Sequence, residues 1–192
     1  MNKNLFTVLE AGFPDDSTCF IETQDGDVFT YGEMLQRSAQ YGNALIGLGV
    51  KPGDRVAVQV EKSIEGLMLY LGAIRAGAAF LPLNTAYTLT ELSYFLSDAE
   101  PALVVCRPAM ENDLGALSGE AVLETLGDDG IGGSLPALAD SASASLEFRS
   151  PHFLSRPRFA HYPCKGFLLA IRRYVDRALA EGSGRRRESA TC

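Results

Sequence analysis

The chain has 192 residues, 46% hydrophobic and 21% charged, with a formal net charge of −7. That length allows one sizeable core. The apolar share excludes a disordered protein, and the charge is too low for an acidic solvating tail. The mean conceals a split. Residues 1–147 hold 7 Lys and Arg against 21 Asp and Glu, a net of −14, whereas residues 148–192 hold 10 against 3, a net of +7. Both histidines, His152 and His161, lie in the basic part.

Met1–Leu9 carries one lysine and a short apolar patch, and Glu10 interrupts it before an apolar signal region of about 7–15 residues forms. The most apolar stretch, Gly66 to Leu83, contains Arg75 and Pro82 and reads as a buried helix followed by a buried strand, not as a membrane span. The cysteines (Cys19, Cys106, Cys164, Cys192) are scattered, without C-x-x-C or a disulfide framework. Together these features predict a soluble chain of the reducing cytoplasm.

In chain order, Asn2 to Ala11 predicts a short helix with Leu5, Phe6 and Leu9 on its inner face. Cys19–Thr23 and Val28–Thr30 predict two strands around Gln24-Asp25-Gly26-Asp27, where Asp-Gly supplies the positive φ of a tight turn. Thr30-Tyr31-Gly32-Glu33 is a capping box: the hydroxyl accepts from the backbone three residues on, and the glutamate reaches back. Met34, Leu35, Ala39, Ala44, Leu45 and Leu48 then recur at helical spacing until Gly49. Arg55–Val60 is a strand rich in β-branched residues. Ser63 caps a helix striped by Ile64, Leu67, Met68, Leu71 and Ile74, with Gly77 as its stop.

Ala79–Leu83 is a short strand limited by Pro82, which cannot donate to a ladder. Thr88-Leu89-Thr90-Glu91 is a second capping box, heading a helix through Leu92, Phe95 and Leu96. Ala102–Cys106 is a buried strand, a helix follows around Ala109–Leu117, and a strand around Ala121–Leu126. This alternation predicts an α/β fold, with right-handed crossovers and a mostly parallel sheet flanked by helices. Beyond Gly127 the regularity stops. Asp128–Gly133 reads as a turn or linker and Ala139–Ser145 as an Ala/Ser stretch. Residues 148–192 read as an irregular, disordered basic tail with one helix over 167–180.

Each candidate for chemistry has a plainer reading that fits better. Leu126–Gly133 is glycine-rich but has neither G-x-G-x-x-G nor a G-x-x-x-x-G-K-[ST] loop, so it reads as a linker. His152, His161 and Cys164 match no familiar zinc spacing and have no fourth ligand. Ser63, beside Glu61 and Lys62, has no histidine in the folded part to act as its base, so it reads as a helix cap. Asp15-Asp16 and Asp128-Asp129 read as solvated turns. The tail arginines sit among Pro, Ser and Gly without aromatic interleaving, which predicts no nucleic-acid partner and no membrane partner. No catalytic, cofactor-binding or metal residue emerges.

Two stretches carry a resemblance. Phe29-Thr30-Tyr31-Gly32-Glu33-Met34, with Val50-Lys51-Pro52-Gly53-Asp54-Arg55-Val56-Ala57 after the long helix, resembles the opening of the adenylate-forming acyl-CoA synthetases. Ile74-Arg75-Ala76-Gly77-Ala78-Ala79-Phe80-Leu81-Pro82-Leu83-Asn84 resembles their second core motif. Glu61-Lys62-Ser63, Pro82–Thr88, Glu91-Leu92 to Tyr94-Phe95 and Asp98-Ala99-Glu100-Pro101 are similar in wording to malonyl-CoA synthetases. The resemblance covers roughly residues 1–140. It implies a two-step ligase: a carboxylate attacks the α-phosphate of ATP to give an acyl-adenylate, and coenzyme A then displaces AMP. Mg²⁺ and cationic side chains would offset the phosphate charge.

Family members continue with a Thr/Ser/Gly-rich phosphate loop, an adenine site, a ribose-binding aspartate and a mobile C-terminal domain bearing a catalytic lysine. None of these is written in this chain, so the resemblance implies a truncated scaffold, residues 1–147, that is inactive and binds no ATP, Mg²⁺ or coenzyme A. It also leaves two partner readings open, self-association and pairing with a full-length synthetase through an incomplete sheet. The tail then reads as the product of a frameshift ending at an early stop. Back-translating Tyr174–Gly182 and shifting one base forward permits Thr-Ser-Thr-Gly-Arg-Ser-Pro-Lys-Gly, close to the missing loop. Reading the coding DNA in its other frames is expected to show that loop and downstream synthetase motifs; their absence would refute the frameshift.

Overall fold

The computed structural model describes residues 4–23 and 26–146. Gln24, Asp25, the helix predicted over 167–180, His152, His161 and Cys164 lie outside the described residues. The chain opens with helix α1 (Leu5–Glu10) and an antiparallel hairpin of β1 (Cys19–Glu22) and β2 (Val28–Thr30). Gly26 takes φ +88° in the turn, a conformation that glycine adopts without steric cost. Then come α2 (Tyr31–Gly47), β3 (Arg55–Gln59), α3 (Ile64–Arg75), β4 (Ala79–Pro82), α4 (Leu89–Ala99) and β5 (Leu103–Cys106). A 3₁₀ turn (Pro108–Met110) leads into α5 (Glu111–Leu117), β6 (Val122–Thr125) and α6 (Ser134–Asp140).

Local chemistry sets these boundaries. Both capping boxes form: Thr30 and Thr88 accept from the amides of Glu33 and Glu91, whose carboxylates accept in return from the cap amides at 2.7 and 2.8 Å. Those hydrogen bonds hold both carboxyls below the usual carboxylate range. Ser63 accepts from the Gly66 amide at 3.1 Å, so its hydroxyl is a cap. Each such cap contributes about 1 kcal/mol to its helix.

β3, β4, β5 and β6 form one parallel sheet in the order β4-β3-β5-β6. Ala57, Val104 and Cys106 point to one face, where Leu92 and Leu96 of α4 and Leu114 of α5 cover them. Val56, Val58, Leu103 and Val105 alternate to the other face and are buried too. α3 crosses that side, with α2 packed on it. Pro82 is tolerated because β4 is an edge strand.

The helices α2 and α3 touch at backbone distance. A Cβ on Gly72 would lie 2.7 Å from Tyr41 Cβ, 2.8 Å from Gly42 N and 2.9 Å from Ser38 O. One turn on, Arg75 is buried, its guanidinium donating to the Leu35 carbonyl and to Ser38 Oγ at 2.8 Å and lying 4.8 Å over the Phe6 ring. Asn4 completes the junction: its amide donates to the Ile74 carbonyl at 2.8 Å while its oxygen caps α1 through the Phe6 amide. Burial lowers the Arg75 pKa, only partly countered by the charge of Glu10.

Two features depart from the expectation. In α1 only Phe6 is buried, while Leu5 and Leu9 are 45% and 42% exposed, because the Asn4 anchor rotates Phe6 alone onto Arg75. Helix α6 occupies a region whose sequence reads as irregular. It has no side-chain cap at Gly133 and is instead held by Ser134, whose amide donates to Thr125 Oγ1 at 2.9 Å and whose hydroxyl accepts from the Thr125 amide at 3.0 Å. Cys106 is a free, buried thiol.

Gly72→Ala should separate α2 from α3. Helix propensity alone favours alanine by about 1 kcal/mol, so a net loss of about 1–2 kcal/mol isolates the clash. A thermal midpoint lowered by several degrees is expected in calorimetry, with Gly47→Ala, where a Cβ meets nothing within 4 Å, as the control. A midpoint unchanged by Gly72→Ala would contradict the close crossing.

Candidate functional site

In an open parallel sheet, ligands bind beyond the carboxyl ends of the strands where the strand order reverses. Here the chain runs from β3 out to β4 and returns across β3 to β5, so the reversal lies between β3 and β5. At the carboxyl end of β3, Gln59 is 1% exposed and donates through Nε2 to the Asn84 carbonyl at 3.1 Å. Arg107, just past β5, reaches Glu61 across the crevice at 3.5 Å. Ser63 stands at the head of α3, where its oxygen serves the cap.

Cys106 ends β5, but its thiol is pushed up to about 11, first by burial and then by the charge of Glu111, with Arg107 partly opposing. It is no nucleophile near neutral pH. Asp129 is also engaged: its Oδ1 accepts from the amides of Ile131 and Gly132 at 2.9 and 3.0 Å, which lowers its pKa. The 127–133 loop therefore turns the Ile131 and Gly132 amides onto its own carboxylate. Among the described residues, no group of three His, Cys, Asp or Glu could hold a metal ion.

A second polar cluster joins α2, α3 and α6. Arg37 donates to both Glu65 oxygens at 2.9 and 3.1 Å, to Gln40 at 3.2 Å, and pairs with Asp140. The Tyr41 hydroxyl donates to Glu65, and the Arg37 guanidinium lies 5.0 Å over its ring. Burial opposes the Arg37 charge, but the hydrogen bonds to Glu65 and Asp140 outweigh it and raise its pKa. Burial and the bond to Glu65 raise that of Tyr41. A cleft of about 230 Å³ opens beside the cluster, lined by Phe29, Met34, Ile64 and Met68 among others. Sequence reasoning missed this cluster. Arg37 and Tyr41 are four apart on one helix face, but Glu65 and Asp140 join them only through the tertiary fold.

The AMP-binding enzyme family matches residues 8–150. This chain belongs to that family. Its AMP-binding fold is similar to that of MatB from Rhodopseudomonas palustris, with a TM-score of 0.75 and 46% identity, covering 78% of this chain and 30% of MatB. The anthranilate CoA ligase AuaEII, in complex with anthranoyl-AMP, shares the fold at a TM-score of 0.67 and 22% identity, over 79% of this chain and 30% of that one. Curated relatives include tyrocidine synthase 3 of Brevibacillus parabrevis, 32% identical over 46% of this chain, and enterobactin synthase component F of Escherichia coli, 40% identical over 41%. The matches span only 1% and 6% of those two relatives. The chain thus carries the parallel sheet and flanking helices of the N-terminal part of the adenylate-forming fold.

The Cys106 thiol supplies a check. Peptide mapping after alkylation at pH 8 should leave Cys106 unmodified in the native chain and modified in urea. Because its folded pKa is raised, the unfolded chain loses this proton first, so its contribution to stability is complete below the ordinary thiol pKa of about 8.5 and falls away as pH rises toward 11. Rapid native alkylation would show that the β5 end is open.

Proposed function

We propose that this chain is the scaffold portion of a carboxylic acid–CoA ligase that uses malonate, and that alone it forms no product. The 46% identity to MatB over 78% of the chain carries this reading. The malonyl-CoA synthetase wording around Pro82–Thr88 and Asp98–Pro101 supports the choice of acid. In the whole enzyme, a malonate oxygen attacks the α-phosphate of ATP and pyrophosphate leaves. The coenzyme A thiol then attacks the acyl carbon, losing its proton, and AMP departs with the electron pair of the broken C–O bond. Gln59 Nε2 bonded to the Asn84 carbonyl and Arg107 paired with Glu61 support a positioning role for the unit, read here as having no ATP, Mg²⁺ or coenzyme A of its own, while Gln59 Oε1 and Arg107 Nε are buried without a partner among the described residues.

The same reading assigns the protein to the cytoplasm, without a nucleic-acid partner. No helix among the described residues is long and apolar enough to cross a membrane. The family match reaches residue 150, beside the charge reversal at 147/148, which supports reading residues 148–192 as a frameshifted tail.

The 192-residue chain, supplied with ATP, Mg²⁺, malonate and coenzyme A, should release AMP no faster than a protein-free blank. Turnover well above the blank would refute inactivity. A chimera carrying residues 8–147 in place of the matching third of R. palustris MatB should turn over malonate in the same assay.

A further inference from the structure

Gln59 is a polar residue on an apolar surface. It pairs in register with Cys106 and stands two residues after Ala57, so its side chain lies on the sheet face that Ala57, Val104 and Cys106 form beneath α4. It is 1% exposed, and only one end of its amide is engaged among the described residues: Nε2 donates to the Asn84 carbonyl at 3.1 Å, while Oε1 is buried without a partner. A half-satisfied buried amide costs stability that an apolar side chain of the same shape would not. Packing therefore gives no reason for glutamine at this position; the bond to Asn84 does.

What that bond holds is a turn. β5 lies on the far side of β3 from β4, so the segment leaving β4 has to pass the end of β3 on its way to α4 and β5. The backbone follows the sheet as far as Leu83, whose amide donates to the Val58 carbonyl at 2.8 Å. Asn84 then turns away: its carbonyl also accepts from the Tyr87 amide at 3.1 Å, and its Oδ1 accepts from the Ala86 amide at 2.9 Å. Tyr87 lies against Phe95 of α4, ring centroids 5.0 Å apart, and Thr88 caps that helix. Gln59 thus grips the turn at its first residue, from the neighbouring strand, at the end of the sheet where open α/β sheets take their ligands.

We propose that Gln59 is a positioning residue: it ties the Asn84–Tyr87 turn to the end of β3 and fixes that wall of the crevice for the ligase reaction. The proposal rests on reading the chain as part of a carboxylic acid–CoA ligase. Gln59→Met tests it. The Asn84 carbonyl keeps the Tyr87 amide, so the substitution leaves no new unpaired group, and the thermal midpoint of the 192-residue chain should stay level or rise. Amide exchange at Ala86 and Tyr87 should nevertheless quicken by about 5-fold or more, while that of Asp54, bonded to Lys51 in the turn before β3, stays unchanged. In the chimera with R. palustris MatB, Gln59→Met should lower kcat/KM for malonate by about 10-fold at an unchanged midpoint. Unaltered exchange at Ala86 and Tyr87, or unaltered kcat/KM in an active chimera, overturns the proposal. So does a lowered midpoint with Asp54 exchanging faster as well, which marks Gln59 as a general support of the fold. Exchange needs no substrate, so a chimera that is inactive even with Gln59 refutes the malonate ligase reading, and exchange alone then decides the tether.

Discussion

The unit depends on one contact, the place where α2 and α3 touch at Gly72. A side chain there would meet the backbone of Gly42 and Ser38 below 3.0 Å, so the helices are as near as two backbones permit. That proximity brings Arg75 within reach of Leu35 and Ser38, and Arg75 in turn gives Phe6 its seat. α1, α2 and α3 thus converge on one buried guanidinium. α3 follows β3 directly and sets where the first crossover lies on the sheet. Loss of the crossing would release the N-terminal helix and uncover the Val56–Val58 face together.

The same packing engages several polar groups of this unit. At the carboxyl ends, where an α/β sheet ordinarily meets its ligand, Gln59 is bonded to Asn84, Arg107 to Glu61, and Ser63 to the start of α3. Arg37 is divided among Glu65, Gln40 and Asp140. These groups stiffen loops and helix ends.

Much of this is legible in the sequence because the signals are local. Thr30–Glu33 and Thr88–Glu91 declare helix starts within four residues, Gly77 declares a stop, and the β-branched run from Arg55 declares a buried strand. The fold class follows from their alternation. What stays hidden depends on partners far along the chain. Ser134 starts a helix because Thr125 receives it, Phe6 alone turns inward because Asn4 holds Ile74, and the Arg37 cluster assembles from three helices. In sequence, Arg75 is only a charge that excludes a membrane span; the crossing at Gly72 reveals it as a buried junction. Ser63 as a cap and Asp129 as a turn residue are legible.

The central proposal is that this part of an AMP-binding enzyme positions the rest of the fold and by itself binds no ATP. Equilibrium dialysis of the 192-residue chain against labelled ATP with Mg²⁺ tests it most directly. No retention above that of an unrelated protein at equal concentration is predicted. Saturable retention, displaced by unlabelled ATP, would contradict it.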